Sequence, residues 1–369
     1  MDLSFILLPE IQKFINENLN TDVQKLALKK NPFPEYDWKI IINQIHAKQK
    51  AQYKLPTWFE TENIIFPSVL SIEQTSSEPL AKFKASLISG EKLIDLTGGF
   101  GIDAYYFSKQ FKEVYHCEFN EDLSDIVKSN ARFLQSENIK TFKGDSLEIL
   151  KNLNQTFDWI YIDPARRSDS KQKVFLLKDC TPNVPENLED YFKYSNQILI
   201  KSAPILDISA GINELEFVKK IYIISLENEV KELLWILEKG FKQKIKLESV
   251  NINKTEDYKI YKTTLEDDSF CDFSQPKNYL YEPFSSVMKT GNFNKIANDF
   301  NLGKLHQHSH LYTNDDLIDF PGRRFKIESI IPYQKKEMKA VFENQKYNIT
   351  IRNFPISVEE LRKKWKIKD

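Results

Sequence analysis

The sequence predicts an α/β protein whose central domain is a doubly wound, mostly parallel sheet, with a helical region before it and a small α+β region after it. Three observations predict this. Between residues 89 and 270, short apolar runs alternate with amphipathic segments, the pattern of a parallel sheet with helices on both faces. A glycine-rich turn, Thr97-Gly98-Gly99-Phe100-Gly101, stands directly between the first such run and the first such helix. Beyond Pro276 the alternation stops, which separates a different kind of domain.

Taken in order, residues 1–88 read as a helical domain. Ile40, Ile41, Ile42 and Ile45 sit among Lys, Asn and Gln, and Pro32, Pro34, Pro56 and Pro67 cut the region into short helices. The sheet domain is expected over 89–270. Its strands are read at 92–96, 113–118, 139–143, 158–163, 197–201 and 220–225, with helices at 102–110, 122–135, 147–153 and 229–239. Residues 246–251 and 258–265, split by the turn-forming 253–257, read as a closing β-hairpin. A connecting ferredoxin-like segment is expected at 271–324. A basic α+β unit at 325–369 follows, in the order strand, helix, strand, helix; a small sheet of that kind would want one more strand beyond it.

Composition narrows the class. The 369 residues carry 52 basic and 53 acidic side chains, a net charge of -1, so only local clustering can argue for a polyanionic partner. Such a cluster exists: from Pro321 to Asp369 there are 13 Lys and Arg against 6 Asp and Glu. Three scattered cysteines form neither a disulfide framework nor a zinc pair. The opening MDLSFILLPE lacks the basic flank and cleavage site of a signal peptide. No stretch approaches the ~20 apolar residues of a membrane span. A cytoplasmic protein without a structural metal is the expectation.

The chemistry concentrates at the strand ends. Asp95-Leu96-Thr97-Gly98-Gly99-Phe100-Gly101-Ile102-Asp103 is a turn whose glycines let backbone approach a ligand closely. It lacks the Lys-Ser/Thr ending of a phosphate loop. Asp95 and Asp103 would repel a pyrophosphate, yet they suit a cationic amino acid such as the methionine part of S-adenosylmethionine. Glu118-Phe119 ends the second strand, where a carboxylate takes a ribose diol, and Asp145-Ser146 ends the third, where one takes an adenine amino group. These tips form one crevice at the carboxyl edge of the sheet. The competing reading is a tight turn with capping aspartates.

These residues, together with Asp163-Pro164, resemble the motif series of class I S-adenosylmethionine-dependent methyltransferases, which have a Rossmann-like fold. The similarity is closer to the bacterial THUMP-like domain methyltransferases. It rests on Asp163-Pro164-Ala165-Arg166-Arg167, on Glu73-Gln74-Thr75-Ser76-Ser77-Glu78 and on the basic C-terminal unit. The resemblance implies S-adenosyl-L-methionine as cofactor, held by Asp95, Thr97, Gly98, Gly99, Gly101, Asp103, Glu118, Phe119, Asp145 and Ser146. It also makes Gln74, Thr75 and Ser76 candidate cofactor contacts, against the ordinary reading of Thr75 or Ser76 as a helix N-cap.

Asp163, Pro164 and Arg166 are the catalytic candidates. The Asp163 carboxylate and the Pro164 carbonyl can hold an amine in line with a methyl group; the alternative is that Asp163 only caps the next segment. Arg166, Arg167 and Lys201 are substrate-binding candidates. The arginine forks suit phosphates or bases, with salt bridges to nearby acids an equal alternative, and a solvated strand-end lysine is the common fate of a residue like Lys201. Enzymes that methylate pyrimidine C5 need a cysteine after the fifth strand, where this chain has Ser202. A serine is a poor substitute for a thiolate, so nitrogen or ribose-oxygen acceptors are expected. His306, His308 and His310 alternate as on one strand face but lack a fourth ligand. The expected function is RNA methylation and RNA binding. A protein or small-molecule methyltransferase, and a catalytically silent cofactor-binding RNA factor, are the alternatives.

Overall fold

The computed structural model describes residues 3–166, 176–265 and 269–368. The chain divides into two compact units, Met1–Leu226 with Lys231–Ile245, and Glu227–Val230 with Lys246–Asp369.

The first unit opens with six helices, α1 (Pro9–Glu17), α2 (Val23–Ala27), α3 (Trp38–Lys54), α4 (Pro56–Glu60), α5 (Val69–Gln74) and α6 (Glu78–Ser86). Proline at the start of α1 and α4 fits a first turn, whose N–H groups have no intrahelical acceptor to lose. Helix α3 buries Ile41, Ile45, Ala47 and Ala51 and packs against α1, α2, α4 and α5.

The sheet follows, with β1 (Gly90–Asp95), α7 (Ile102–Phe107), β2 (Phe111–Glu118), α8 (Glu121–Phe133), β3 (Ile139–Lys143), α9 (Ser146–Leu153) and β4 (Trp159–Ile162). A two-stranded ribbon comes next, β5 (Ala165–Arg166) and β6 (Cys180–Thr181), then α10 (Val184–Tyr191), β7 (Gln197–Ser202), α11 (Ile208–Glu214), β8 (Val218–Leu226) and β9 (Glu229–Glu238). The strands run in the order β3-β2-β1-β4-β7-β9-β8. Pairings from β3 through β7 are parallel, and β9 is antiparallel to β7. The order reverses between β1 and β4, so a crevice opens there at the carboxyl ends, the switch point where such sheets bind ligands. Leu93, Ile94, Ile160, Ile162, Ile198, Leu199 and Ile200 are fully buried. Each contributes about 1.5–3 kcal/mol of hydrophobic stabilisation to holding the strand ends in place.

One expected helix is a strand. Residues 229–239 read as helical because Glu, Lys and Leu dominate them, yet Glu229–Glu238 is β9. Glu227 and Asn228 both have positive φ, 52° and 64°, the conformation of a two-residue turn that sends the chain straight back. Leu233–Leu237 is then buried as a continuous run between β7 and β8, and that burial overrides helix propensity.

The second unit contains the expected hairpin as β10 (Lys246–Ile252) and β11 (Tyr258–Thr264), antiparallel with Lys246 opposite Thr264 and Ile252 opposite Tyr258. A separate sheet follows, built from β12 (Tyr279–Pro283), β13 (Gly303–Lys304), β14 (Tyr312–Asn314) and β15 (Gly322–Lys326), in the order β13-β14-β12-β15. Helices α12 (Ser285–Met288) and α13 (Phe293–Asp299) precede β13. Tyr281, Tyr312, Phe320, Ile296 and Ala297 form its core. Beyond β15 come α14 (Lys335–Phe342) and α15 (Val358–Trp365), closed over Leu361, Trp365 and Ile367. The strand expected between them is absent among the described residues; only an isolated bridge, Lys346 to Lys368, forms there.

Candidate active site

The glycine turn lies on a histidine. His116 of β2 is fully buried, and a Cβ at Gly98 would come 2.2 Å from its Nε2. Gly101 takes φ +78°, and a Cβ there would also meet Val127 at 2.9 Å. Only glycine permits so close an approach. Neither ring nitrogen of His116 has a hydrogen-bond partner among the described residues, and burial pushes its pKa down, against the pull of Glu118.

The strand ends are joined by the backbone and by Thr97. Glu118 accepts from the Gly99 N–H at 2.8 Å with one oxygen and from the Asn120 N–H at 2.7 Å with the other. Asp95 is 1% exposed and accepts from the Thr97 N–H at 2.9 Å and its hydroxyl at 3.3 Å. The same Thr97 oxygen accepts from the Asp163 N–H at 2.6 Å. Thr97 therefore ties the end of β1 to the end of β4 across the switch point. Burial, reinforced by Asp103 and Asp163, pushes the Asp95 carboxyl up to about 8.

A buried charge cluster lies alongside. Asp103 of α7 accepts from Lys84 Nζ at 2.9 Å with each oxygen and from Tyr161 OH at 2.7 Å. Lys84 is fully buried, also reaches Ser76 Oγ at 3.3 Å, and lies 3.6 Å from Glu232. Lys201 Nζ is 2.5 Å from Asp163 Oδ2.

Three family descriptions match separate stretches of the chain. "Conserved hypothetical protein 95" matches residues 73–187, a ferredoxin-like domain matches 279–321 and a THUMP domain-like description matches 322–369. A crystal structure from Porphyromonas gingivalis W83, provisionally described as a methyltransferase, superposes with a TM-score of 0.87 at 29% identity. That alignment covers 100% of this chain and 93% of the other. Over its whole length the chain is thus similar to a protein described as a methyltransferase. A protein of Mycoplasma mobile described as an uncharacterized RNA methyltransferase is 25% identical over 221 residues, or 56% of this chain. The chain spans about 60% of the length of that relative.

The sequence-derived candidates fall into three groups. Asp95, Thr97, Gly98, Gly99, Gly101, Glu118, Asp163 and Lys201 are linked along the turn and by direct hydrogen bonds, and Asp103 stands beside them in the Lys84–Tyr161 cluster. Asp145 caps α9, accepting from the Leu147 and Glu148 N–H groups with Oδ1, and Ser146 is its first residue. Phe119 is 79% exposed beside Glu118, and Pro164 is buried next to Asp163. Arg166 is exposed on β5, paired with Cys180. Arg167 lies outside the described residues.

Two expectations, and two of the alternatives set beside the site candidates, need correction. Lys201 is not a solvated strand-end lysine, because its side chain is 15% exposed and ion-paired. Neither Thr75 nor Ser76 caps a helix N-terminus: Thr75 is the C-cap of α5, Ser76 joins the Lys84 cluster, and Ser77 occupies the N-cap position of α6. Asp163 accepts from Lys201 rather than from a following helix turn. His306, His308 and His310 lie in a turn rather than on a strand. His306 accepts from the His308 N–H, and His310 stacks on Phe293 at 3.7 Å. Among the described residues no group of His, Cys, Asp or Glu could hold a metal, and no helix is long and apolar enough to cross a membrane.

Sequence reasoning missed Lys84, Tyr161 and Glu232. Lys84 carried a readable signal, since it falls four residues after buried Leu80 and three after buried Ala81, on the apolar face of α6.

Proposed function

We propose that the chain transfers a methyl group from S-adenosylmethionine to RNA, at a nitrogen or a ribose oxygen. One observation carries the reading: the Thr97 bridge holds Asp163 beside the Asp95 turn at the switch point. Bound there, the cofactor supplies an electrophilic methyl group on a cationic sulfur.

The residues present suit that group. Glu118 uses one lone pair on each oxygen for backbone N–H groups, which leaves acceptor capacity for a ribose diol. Asp145 caps with Oδ1 alone, so Oδ2 remains for an adenine amino group. Asp95 presents a buried carboxyl to the methionine ammonium. A Cβ built on Gly99 would meet nothing nearer than 3.9 Å, so the loop leaves space on that side. Beside it, Asp163 and the Pro164 carbonyl would hold an acceptor N–H or O–H so that its lone pair points at the methyl group. Asp163 would accept the proton afterwards. Arg166 and Arg167 are assigned to the RNA backbone.

Acceptors other than pyrimidine C5 are favoured because Ser202 is occupied. It is 2% exposed, and its oxygen accepts from Trp235 Nε1 at 2.8 Å, an arrangement unsuited to attack on a ring carbon. The RNA assignment is supported by the name of the Mycoplasma mobile relative and the THUMP domain-like match. The tail's aromatic residues pack among themselves: Tyr333 lies edge-on to Trp365 and Phe354, and Phe342 edge-on to Tyr347. Its Arg323 and Arg352 both pair with Glu282. RNA contact by the tail therefore falls to its exposed lysines, which bind phosphate and weaken with salt.

The test is transfer of a tritiated methyl group to bulk RNA, with Asp163→Ala as control. Nuclease-sensitive label dependent on Asp163 is the expected result. Label that survives nuclease digestion points to a protein acceptor, and cofactor binding without any label points to a silent RNA factor.

A further inference from the structure

Glu232 is the buried acid for which the methyl-transfer scheme has no task. It lies on β9 just before Leu233 and Leu234, which pair with Ser202 and Lys201 of β7. It is 1% exposed, and its Oε1 has no hydrogen-bond partner among the described residues. A buried carboxylate oxygen without a donor is costly, and native structures rarely leave one so. Lys84, 3.6 Å from Oε2, is already committed to both oxygens of Asp103.

Lys201 has the complementary surplus. Its ammonium has three N–H groups, and the hydrogen bond it makes among the described residues goes to Asp163. Glu232 is also among the acids that attract it. Methyl transfer as proposed above needs Asp163 to turn toward the acceptor. If Asp163 were the only counter-charge, that turn would strand a largely buried ammonium, which proteins avoid.

We propose that Lys201 is shared between two carboxylates, held by Asp163 in the resting site and by Glu232 Oε1 when Asp163 engages the acceptor. Glu232 is then a positioning residue: it touches no reactant and acts by releasing Asp163. The engagement step rests on the methyltransferase reading, whereas the sharing of Lys201 is a property of the folded chain alone.

A double-mutant cycle on the full chain tests the sharing without cofactor or RNA. Melting temperatures are compared for wild type, Asp163→Asn, Glu232→Gln and the double variant, and then for the same set carrying Lys201→Met. Each single change leaves Lys201 one of the two carboxylates proposed to share it, with Asp103, already paired to Lys84, unchanged throughout. The double variant is expected to fall below the sum of the singles by roughly 2–6 °C, and Lys201→Met to remove that excess. Additive losses, or an excess that persists without Lys201, would overturn the proposal. A second measurement covers a double variant that fails to fold. Glu232→Gln is expected to lower kcat by about tenfold or more with the cofactor KM unchanged, and Glu232→Asp to restore part of it. An unchanged kcat also overturns it. A wild-type chain that methylates nothing sinks the functional reading instead, and the cycle still decides the sharing.

Discussion

Lys84 Nζ lies 2.9 Å from both carboxylate oxygens of Asp103, with the lysine side chain wholly removed from solvent. The pair fastens α6 to α7 next to the glycine turn. Removing one member would strand the other in the interior, so Lys84→Met should cost about 3–5 kcal/mol of stability. The pH dependence has a defined sign. Burial pushes the Asp103 carboxyl up, but Lys84, Lys201 and Tyr161 outweigh it and hold the group below the usual aspartate range. Its stabilisation is present above about pH 4, the unfolded value, and is lost as pH falls through the depressed folded value. Melting curves against pH should show the gap between wild type and Lys84→Met narrowing as pH falls below about 4.

Asp95 makes cofactor affinity pH-dependent. With its carboxyl pushed up to about 8, it is protonated in the free protein at neutral pH. A cationic ligand favours the ionised form, so binding should release a proton. Affinity should climb toward pH 8 by at most about tenfold per unit. Calorimetry in two buffers of different ionisation heat measures the proton directly. Asp95→Asn should bind more weakly and lose the rising limb; a rising limb that survives the substitution would refute the assignment.

Gly98 and Gly99 should respond differently to alanine. At Gly98 the added methyl would sit 2.2 Å from a buried ring, so the turn must lift from His116. At Gly99 the neighbourhood is open and φ is +55°, which costs about 1–2 kcal/mol for an L-residue. Gly98→Ala is expected to abolish cofactor binding, and Gly99→Ala to lower the melting temperature modestly while still binding. Titration calorimetry and thermal melts distinguish them.

Ser202 tests the acceptor chemistry. Ser202→Ala leaves the Trp235 indole N–H buried without a partner, a loss of about 1–3 kcal/mol. Methyl transfer should persist. A drop of about a hundredfold or more, the scale of losing a nucleophile, would reopen the C5 reading.

The strands before the crevice were legible because each is a buried apolar run stopped by Gly, Asp or Pro, as at Asp95-Leu96-Thr97-Gly98 and Ile162-Asp163-Pro164. Residues 229–238 were not, because a strand buried on both faces loses the period of two and its Glu, Lys and Leu content mimics a helix. At the site, the turn and the strand-end acids were legible as letters in sequence order. Their partners were not. Lys84 shares the segment Ala81-Lys82-Phe83-Lys84 with an exposed lysine, and only the helix face on which it falls tells the two apart. Glu232 and Lys201 fall on neighbouring strands because β9 returns beside β7, a pairing that no local pattern encodes.

Titration calorimetry of S-adenosylmethionine, and of its demethylated thioether, into the intact chain tests the central claim most directly. A saturable heat for both compounds is predicted, lost in Glu118→Ala and weakened in Asp95→Asn. Protein that melts cooperatively yet gives no heat with either compound would contradict it.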